Sequence, residues 1–148
     1  MAYLISLPDI DGFQSGGRGL LLFLVFLTEI NDVLQFTWGK LFGNSKIIPK
    51  VSPNKTWMGF IGGLVTTTAI GYGLAFLTPL STPQVLLVSF TVALSGFLGD
   101  VVMSAVKRDI GVKDTGSTIP GHGGILDRID SLSYSAPVFF HIIYFMAY

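Results

Sequence analysis

Cysteine is absent from this chain of 148 residues, histidine occurs twice, and charge is scarce. Without cysteine there is no disulfide scaffold, no thiol nucleophile and no thiolate metal site. Charged residues make up 12% of the chain, against roughly 25% in an ordinary soluble domain. Nine basic and nine acidic residues cancel, so no bulk field draws a nucleic acid. No internal repeat or low-complexity segment stands out. Apolar residues are abundant: half of the chain is hydrophobic and the mean hydropathy is +0.64. This balance excludes a disordered chain, a nucleic-acid binder and most soluble enzymes. The length fits one domain, 1–148.

The charges fall in blocks. None lies between Thr56 and Gly99, and none follows Asp130. Lys40, Lys46, Lys50 and Lys55 share one polar stretch, and a second runs from Lys107 to Asp130. A bilayer imposes such segregation, because a charge at its centre costs roughly 3 kcal/mol or more. The apolar runs at about 19–38, 57–77, 85–106 and 131–148 are near the roughly 20 residues that a transmembrane helix needs. The expectation is an all-α, polytopic membrane protein with about four transmembrane helices and a charged cytoplasmic loop. Loops 39–56 and 107–130 carry the lysines and arginines, so both are expected on the cytoplasmic side. The first residues, with Pro8, Asp9 and Asp11, do not read as a signal peptide.

Polar groups inside the apolar runs are functional candidates by default. Glu29, Asn31 and Asp32 are expected to break the first span, and Asp100 lies in the third. Glu29 and Asp32 are three apart and share a helix face. Asp100 precedes Lys107 and Arg108 by about two helical turns, beneath the mouth of the long loop.

That loop is rich in parts for phosphate chemistry. Lys107, Arg108, Lys113 and Arg128 can neutralise phosphate oxygens. Gly116, Gly121, Gly123 and Gly124 allow backbone N–H groups to approach an anion. Asp127 and Asp130, three apart at a helix start, can face one hard cation such as magnesium. His122 and His141 are too few for zinc. The same parts have plainer readings: topology-setting cations, a turn at "PGHGG", and acids favouring a helix dipole. Upstream, Ser52, Lys55 and Thr56 precede a helix start where N–H groups attract anions. Equally, Ser52 caps that helix and Trp57 anchors the interface. Gly59 and Gly63 form a GxxxG pair suited to helix packing.

The stretch "SAVKRDIGVKDTGSTIPGHGGILDRID", from Ser104 to Asp130, resembles the signature of the phosphatidate cytidylyltransferases, or CDP-diacylglycerol synthases. "GKLFGNSKIIPKVSPNKTWMGFIGG" is similar to their upstream serine-proline-x-lysine-threonine-tryptophan region. The chain departs from the family pattern at Met58, where glutamate is usual, at Asn54, where a basic residue is usual, and around Leu34 and Gln35. It resembles the C-terminal half of longer proteins that have additional spans before it.

The resemblance implies transfer of a cytidylyl group from CTP to phosphatidic acid, giving CDP-diacylglycerol and pyrophosphate in phospholipid biosynthesis. It implies Mg2+, with a monovalent cation such as K+ beside it. Asp100 and Asp127 would bind metal, with Asp130 as a further candidate. Asp100, Asp127, Lys107 and Arg108 form the expected catalytic set. Ser52, Lys55, Thr56, Lys113, Asp114, His122, Gly123, Gly124 and Arg128 form the expected substrate-binding set. The enzyme would sit in the inner membrane of a bacterium with its active face toward the cytoplasm, as a homodimer or paired with the missing N-terminal spans. No nucleic acid is expected as a partner. The competing readings are a non-catalytic truncated paralogue or subunit, and a related CTP-dependent lipid kinase.

Overall fold

The computed structural model describes residues 16–111 and 126–147, with side chains over 18–111 and 131–146. Four helices carry the described residues: α1 (Gly16–Phe42), α2 (Trp57–Gly73), α3 (Thr82–Asp109) and α4 (Leu126–Ala147). Between α1 and α2 lies an antiparallel hairpin of β1 (Lys46–Ile48) and β2 (Ser52–Thr56), which pairs Lys46 with Thr56 and Ile48 with Ser52. A short 3-10 turn, Ala75–Leu77, follows α2.

Local chemistry sets the ends. Thr56 caps α2: its Oγ1 accepts from the backbone N–H of Gly59 at 3.1 Å. The cap is therefore Thr56, and Ser52, the alternative from sequence, starts β2 instead. At α3, Gln84 Oε1 accepts from both the backbone N–H (2.9 Å) and the hydroxyl (2.8 Å) of Ser81, which satisfies a donor that the helix start leaves open. Beyond its last turn, Gly111 takes φ +75, the left-handed conformation that glycine adopts at helix ends without steric strain.

The expected runs and the helices agree in place but not in detail. α1 passes unbroken through Glu29, Asn31 and Asp32. Side-chain hydrogen bonds accommodate two of these residues, so the backbone need not interrupt its own ladder. The first "loop" is mostly hairpin, and Lys107 and Arg108 belong to the last turn of α3. Two helices, Arg18–Phe42 and Thr82–Asp109, are long and apolar enough to cross a bilayer. α2 has 17 residues, about 25 Å at 1.5 Å per residue, which is less than a hydrocarbon core of about 30 Å. The apolar part of α4 is Ser131–Met146. Large apolar side chains nevertheless face outward on every helix, among them Phe26, Val65, Leu87 and Phe145. In water such a surface would aggregate; in lipid it is solvated.

The apolar core lies near the start of α1 and α3 and the end of α4: Leu20, Phe23, Leu24, Leu27, Val85, Val88, Val92, Phe139 and Ile143. α2 joins by a stripe of small buried residues one turn apart, Gly59, Gly63, Thr67 and Gly71. A Cβ on Gly63 would lie 3.2 Å from both the Cα and the N of Gln35. The two backbones therefore approach as closely as the GxxxG pattern permits. Toward the charged end, buried polar side chains replace the core. Asn31 donates to Ala93 O at 3.3 Å and accepts from Thr67 Oγ1 at 3.2 Å, joining α1, α3 and α2. Thr28 and Ser135 bridge α1 and α4 at 3.2 Å.

Gly63→Val should lower the unfolding free energy in detergent by about 1–3 kcal/mol, as overpacking does. Gly73→Ala, which meets nothing within 4 Å, should hold stability or raise it by about 0.5 kcal/mol. Thermal unfolding checks both; an unperturbed Gly63→Val would contradict the close α1–α2 approach.

Candidate active site at the hairpin and the helix ends

Asp100 lies on α3 about 14 Å before its end, at 1.5 Å per residue, and points toward the hairpin. Lys55 on β2 reaches back and forms an ion pair with Asp100 Oδ2. Both side chains are largely buried, 16% and 20% exposed. The Lys55 ammonium also sits 5.1 Å from the centroid of the Phe97 ring, whose π face attracts a cation. Phe97 in turn packs against Phe60 of α2 at 4.5 Å. The hairpin is thus fastened to α3 through one lysine.

The pair opens on a cavity of about 200 Å³ whose wall includes Asp32, Gln35, Asn54, Lys55, Phe60 and Asp100. Two buried oxygens on that wall, Asp32 Oδ1 and Gln35 Oε1, have no hydrogen-bond partner among the described residues. Buried oxygens are rarely left so, and an orphaned pair beside a second carboxylate is a donor set for a hard cation. Among the described residues, no three histidine or acidic side chains cluster closely enough to hold a metal by themselves. Amide and carboxylate oxygens together still fit Mg2+, which keeps part of its shell from water and substrate.

The fourth helix reaches the same place. Ser131 Oγ donates to Asp32 Oδ2 at 2.7 Å, tying α4 to α1. Asp127, Arg128 and Asp130 stand in the opening residues of α4 just before Ser131; their side chains lie outside the described residues. Lys113, Asp114, His122, Gly123 and Gly124 lie outside them altogether.

A second cavity of about 300 Å³ adjoins the first, sharing Asn54, and is lined also by Ser52, Ser104, Lys107 and Arg108. Arg108 Nε donates to Val51 O at 3.4 Å, which holds the hairpin turn against the end of α3. Of the residues expected from sequence, Asp100, Lys55 and Thr56 meet in the first cavity, and Ser52, Lys107 and Arg108 in the second. Glu29 is exposed on the far side of α1, and Met58 is 44% exposed. His141 bonds to Pro137 O at 2.7 Å within its own helix. Sequence reasoning left Asp32, Gln35, Asn54 and Phe60 out of the site. Asp32 had a signal, as an acid inside an apolar run. Gln35 and Asn54 had only the signal of departing from the family pattern, and Phe60 had none.

An acid, a lysine and basic helix-end residues gather at one end of an apolar bundle. The cytidylyltransferase family matches residues 1–146. The chain belongs to the cytidylyltransferase family. It is 53% identical over 148 residues to the uncharacterized protein YnbB of Escherichia coli, covering 99% of this chain and 49% of that protein. It is 44% identical over 128 residues to the phosphatidate cytidylyltransferase of Mycobacterium leprae, covering 85% of this chain and 41% of that protein. It is 40% identical over 137 residues to the phosphatidate cytidylyltransferase of Haemophilus influenzae, covering 88% and 47%. The chain thus spans about half the length of the curated relatives it matches. With its two long apolar helices, this membership points to a membrane protein.

A double-mutant cycle on this cytidylyltransferase-family chain with Lys55→Met and Asp100→Asn should return a coupling of about 1–2 kcal/mol in thermal unfolding. Additive effects would show that the pair does not fasten the hairpin.

Proposed function

We propose that the chain carries the catalytic part of a phosphatidate cytidylyltransferase: it transfers the cytidylyl group of CTP to phosphatidic acid, releasing pyrophosphate, at the cytoplasmic face of the inner membrane. In this reading all four helices span the bilayer, α2 and α4 with the help of their flanking polar residues. The observation that carries it is the cavity where Asp100, Lys55 and the orphaned oxygens of Asp32 and Gln35 meet at the charged end of an apolar bundle.

The chemistry asks for little acid–base work. The attacking group is a phosphate oxygen that is already an anion. The barrier lies in bringing two polyanions together and building charge on the leaving pyrophosphate, so fixed cations matter most. Asp32, Gln35 and Asp100 would hold Mg2+, with Asp127 and Asp130 completing the set and K+ beside it. When bound, the metal supplies charge neutralisation and alignment of phosphate oxygens. Lys55 screens Asp100 from its carboxylate neighbour and offers its ammonium to an incoming phosphate. Lys107 and Arg108, with the hydroxyls of Ser52 and Ser104, hold phosphate oxygens in the adjoining cavity. Lys113, Asp114, His122, Gly123, Gly124 and Arg128 complete the substrate contacts. Asn54 borders both cavities and can keep their occupants in register. Phe60, backed by the buried Phe97, supplies an apolar wall of the cavity.

Asp100→Asn and Asp127→Asn should each lower pyrophosphate release from CTP and phosphatidic acid by 100-fold or more, on the order of losing one charge-stabilising group, with the unfolding temperature little changed in Asp127→Asn and lowered in Asp100→Asn, which leaves Lys55 without its partner. Label at the α-phosphate of CTP should appear in lipid and label at the γ-phosphate should not; the reverse would identify a kinase. Chelation should stop turnover and Mg2+ restore it. Turnover indifferent to all of these would remove the proposal.

A further inference from the structure

A third cavity, of about 250 Å³, lies between the end of α1 and the hairpin, with Lys40 and Lys46 on its wall. It adjoins the cavity of Asp32 and Asp100, sharing Phe36, Asn54 and Thr56 with it. Gly39 and Gly43 line it without a side chain. A Cβ on Gly39 would come 3.0 Å from Thr56 Oγ1, so a larger residue there would displace the strand that bounds the space.

Its charge is the reverse of its neighbour's. The neighbouring wall sets two carboxylates, Asp32 and Asp100, against the single ammonium of Lys55. Here two lysines stand with no acid on the wall, and among the described residues no acid pairs with either. The Lys40 ammonium lies 5.9 Å from the centroid of the Phe36 ring, which attracts a cation without neutralising it. The end of α1 contributes roughly half a negative charge, and two ammonium groups outweigh it. The cavity can therefore hold an anion without a metal. Lysines beside a span also set topology. Lys50 fits that plainer role: it is exposed in the same hairpin but off this wall.

The surroundings indicate which anion. Phe36 on the wall is 63% exposed, and Leu41 and Phe42 near it are also exposed, on a helix long and apolar enough to cross a bilayer. An anion held here has apolar surface beside it, as a lipid headgroup needs. Among the described residues, the cavity of Lys107 and Arg108 has no aromatic side chain on its wall. A phosphomonoester carries about 1.5 to 2 negative charges near pH 7, more than a phosphodiester, so paired ammonium groups favour the monoester.

We propose that Lys40 and Lys46 bind the phosphomonoester headgroup of the lipid acceptor, with its acyl chains along Phe36 and the exposed side of α1, while the nucleotide occupies the cavity of Lys107 and Arg108. Asn54 borders all three cavities, so the two substrates meet across it. In the transfer, a headgroup oxygen bonds to the α-phosphorus of CTP as the bond from that phosphorus to the bridging oxygen breaks, and the electron pair leaves on pyrophosphate. The lysines position the acceptor and exchange no proton. The transfer step rests on the cytidylyltransferase reading; the binding rests on the cavity alone.

The test uses the full chain in detergent with dihexanoyl phosphatidate as the probe. Without CTP or metal, the probe should raise the unfolding temperature, and dihexanoyl phosphatidylglycerol, a diester, should raise it much less. Lys40→Gln and Lys46→Gln should each weaken probe binding about tenfold, as losing one charge-assisted hydrogen bond does, while Lys50→Gln leaves it unchanged. In turnover the same two variants should raise KM for phosphatidate about tenfold and leave KM for CTP unchanged. Probe binding without any turnover would remove the cytidylyltransferase reading and keep this site. No shift from the monoester, equal binding of the diester, an equal loss in Lys50→Gln, or turnover with KM for phosphatidate unchanged in both lysine variants would each overturn the site.

Discussion

A carboxylate placed inside an apolar bundle has to be matched there, and in this protein the match for Asp100 comes from outside the bundle. Lys55 is delivered by β2, and the hairpin exists as a rigid arm because β1 and β2 pair just before the chain enters α2. Thr56, the next residue, caps that helix. One short segment thus starts α2, closes the cavity and neutralises an acid on α3. Loss of this contact would leave a largely buried carboxylate without its counter-charge, a state that removing one partner of a buried pair makes strongly unfavourable.

The rest of the bundle is arranged so that polarity rises toward that pair. Leucine, valine and phenylalanine fill the far half. Threonine, serine and asparagine side chains then bond across the helices, at Thr28–Ser135 and around Asn31. Asp32, Gln35 and Asp100 come last, at the cavity. Under the proposed function, this gradient would let a charged headgroup meet these groups while its acyl chains stay in lipid. The glycine stripe of α2 makes this possible: with no side chains between them, α1 and α2 bring the Gln35 backbone against Gly63, and the polar residues of α1 stay within reach of the hairpin.

The inner surface of α1 builds the site, and Glu29 stands exposed outside it. Glu29 and Asp32 looked equivalent as a pair spaced three apart. The fold separates them by about 60°, since three residues advance a helix by roughly 300°, and that angle is enough to put one in the cavity and the other outside.

The sequence by itself determined where the helices run, because segregated charge and apolar runs of near-bilayer length leave few alternatives. It also determined the family, through the fixed positions from Ser104 to Asp130, and it singled out Asp100, an acid where acids are costly. Only the tertiary structure decided that loop 39–56 holds a hairpin, that Lys55 belongs to Asp100, and that Asp32, Gln35 and Asn54 share its cavity. The reason is one of range. Helix periodicity and charge segregation are local and repeat along the chain, so they can be read from it. The pairing of Lys55 with Asp100 spans 45 residues and depends on how closely three helices approach, which glycines permit and no local pattern records.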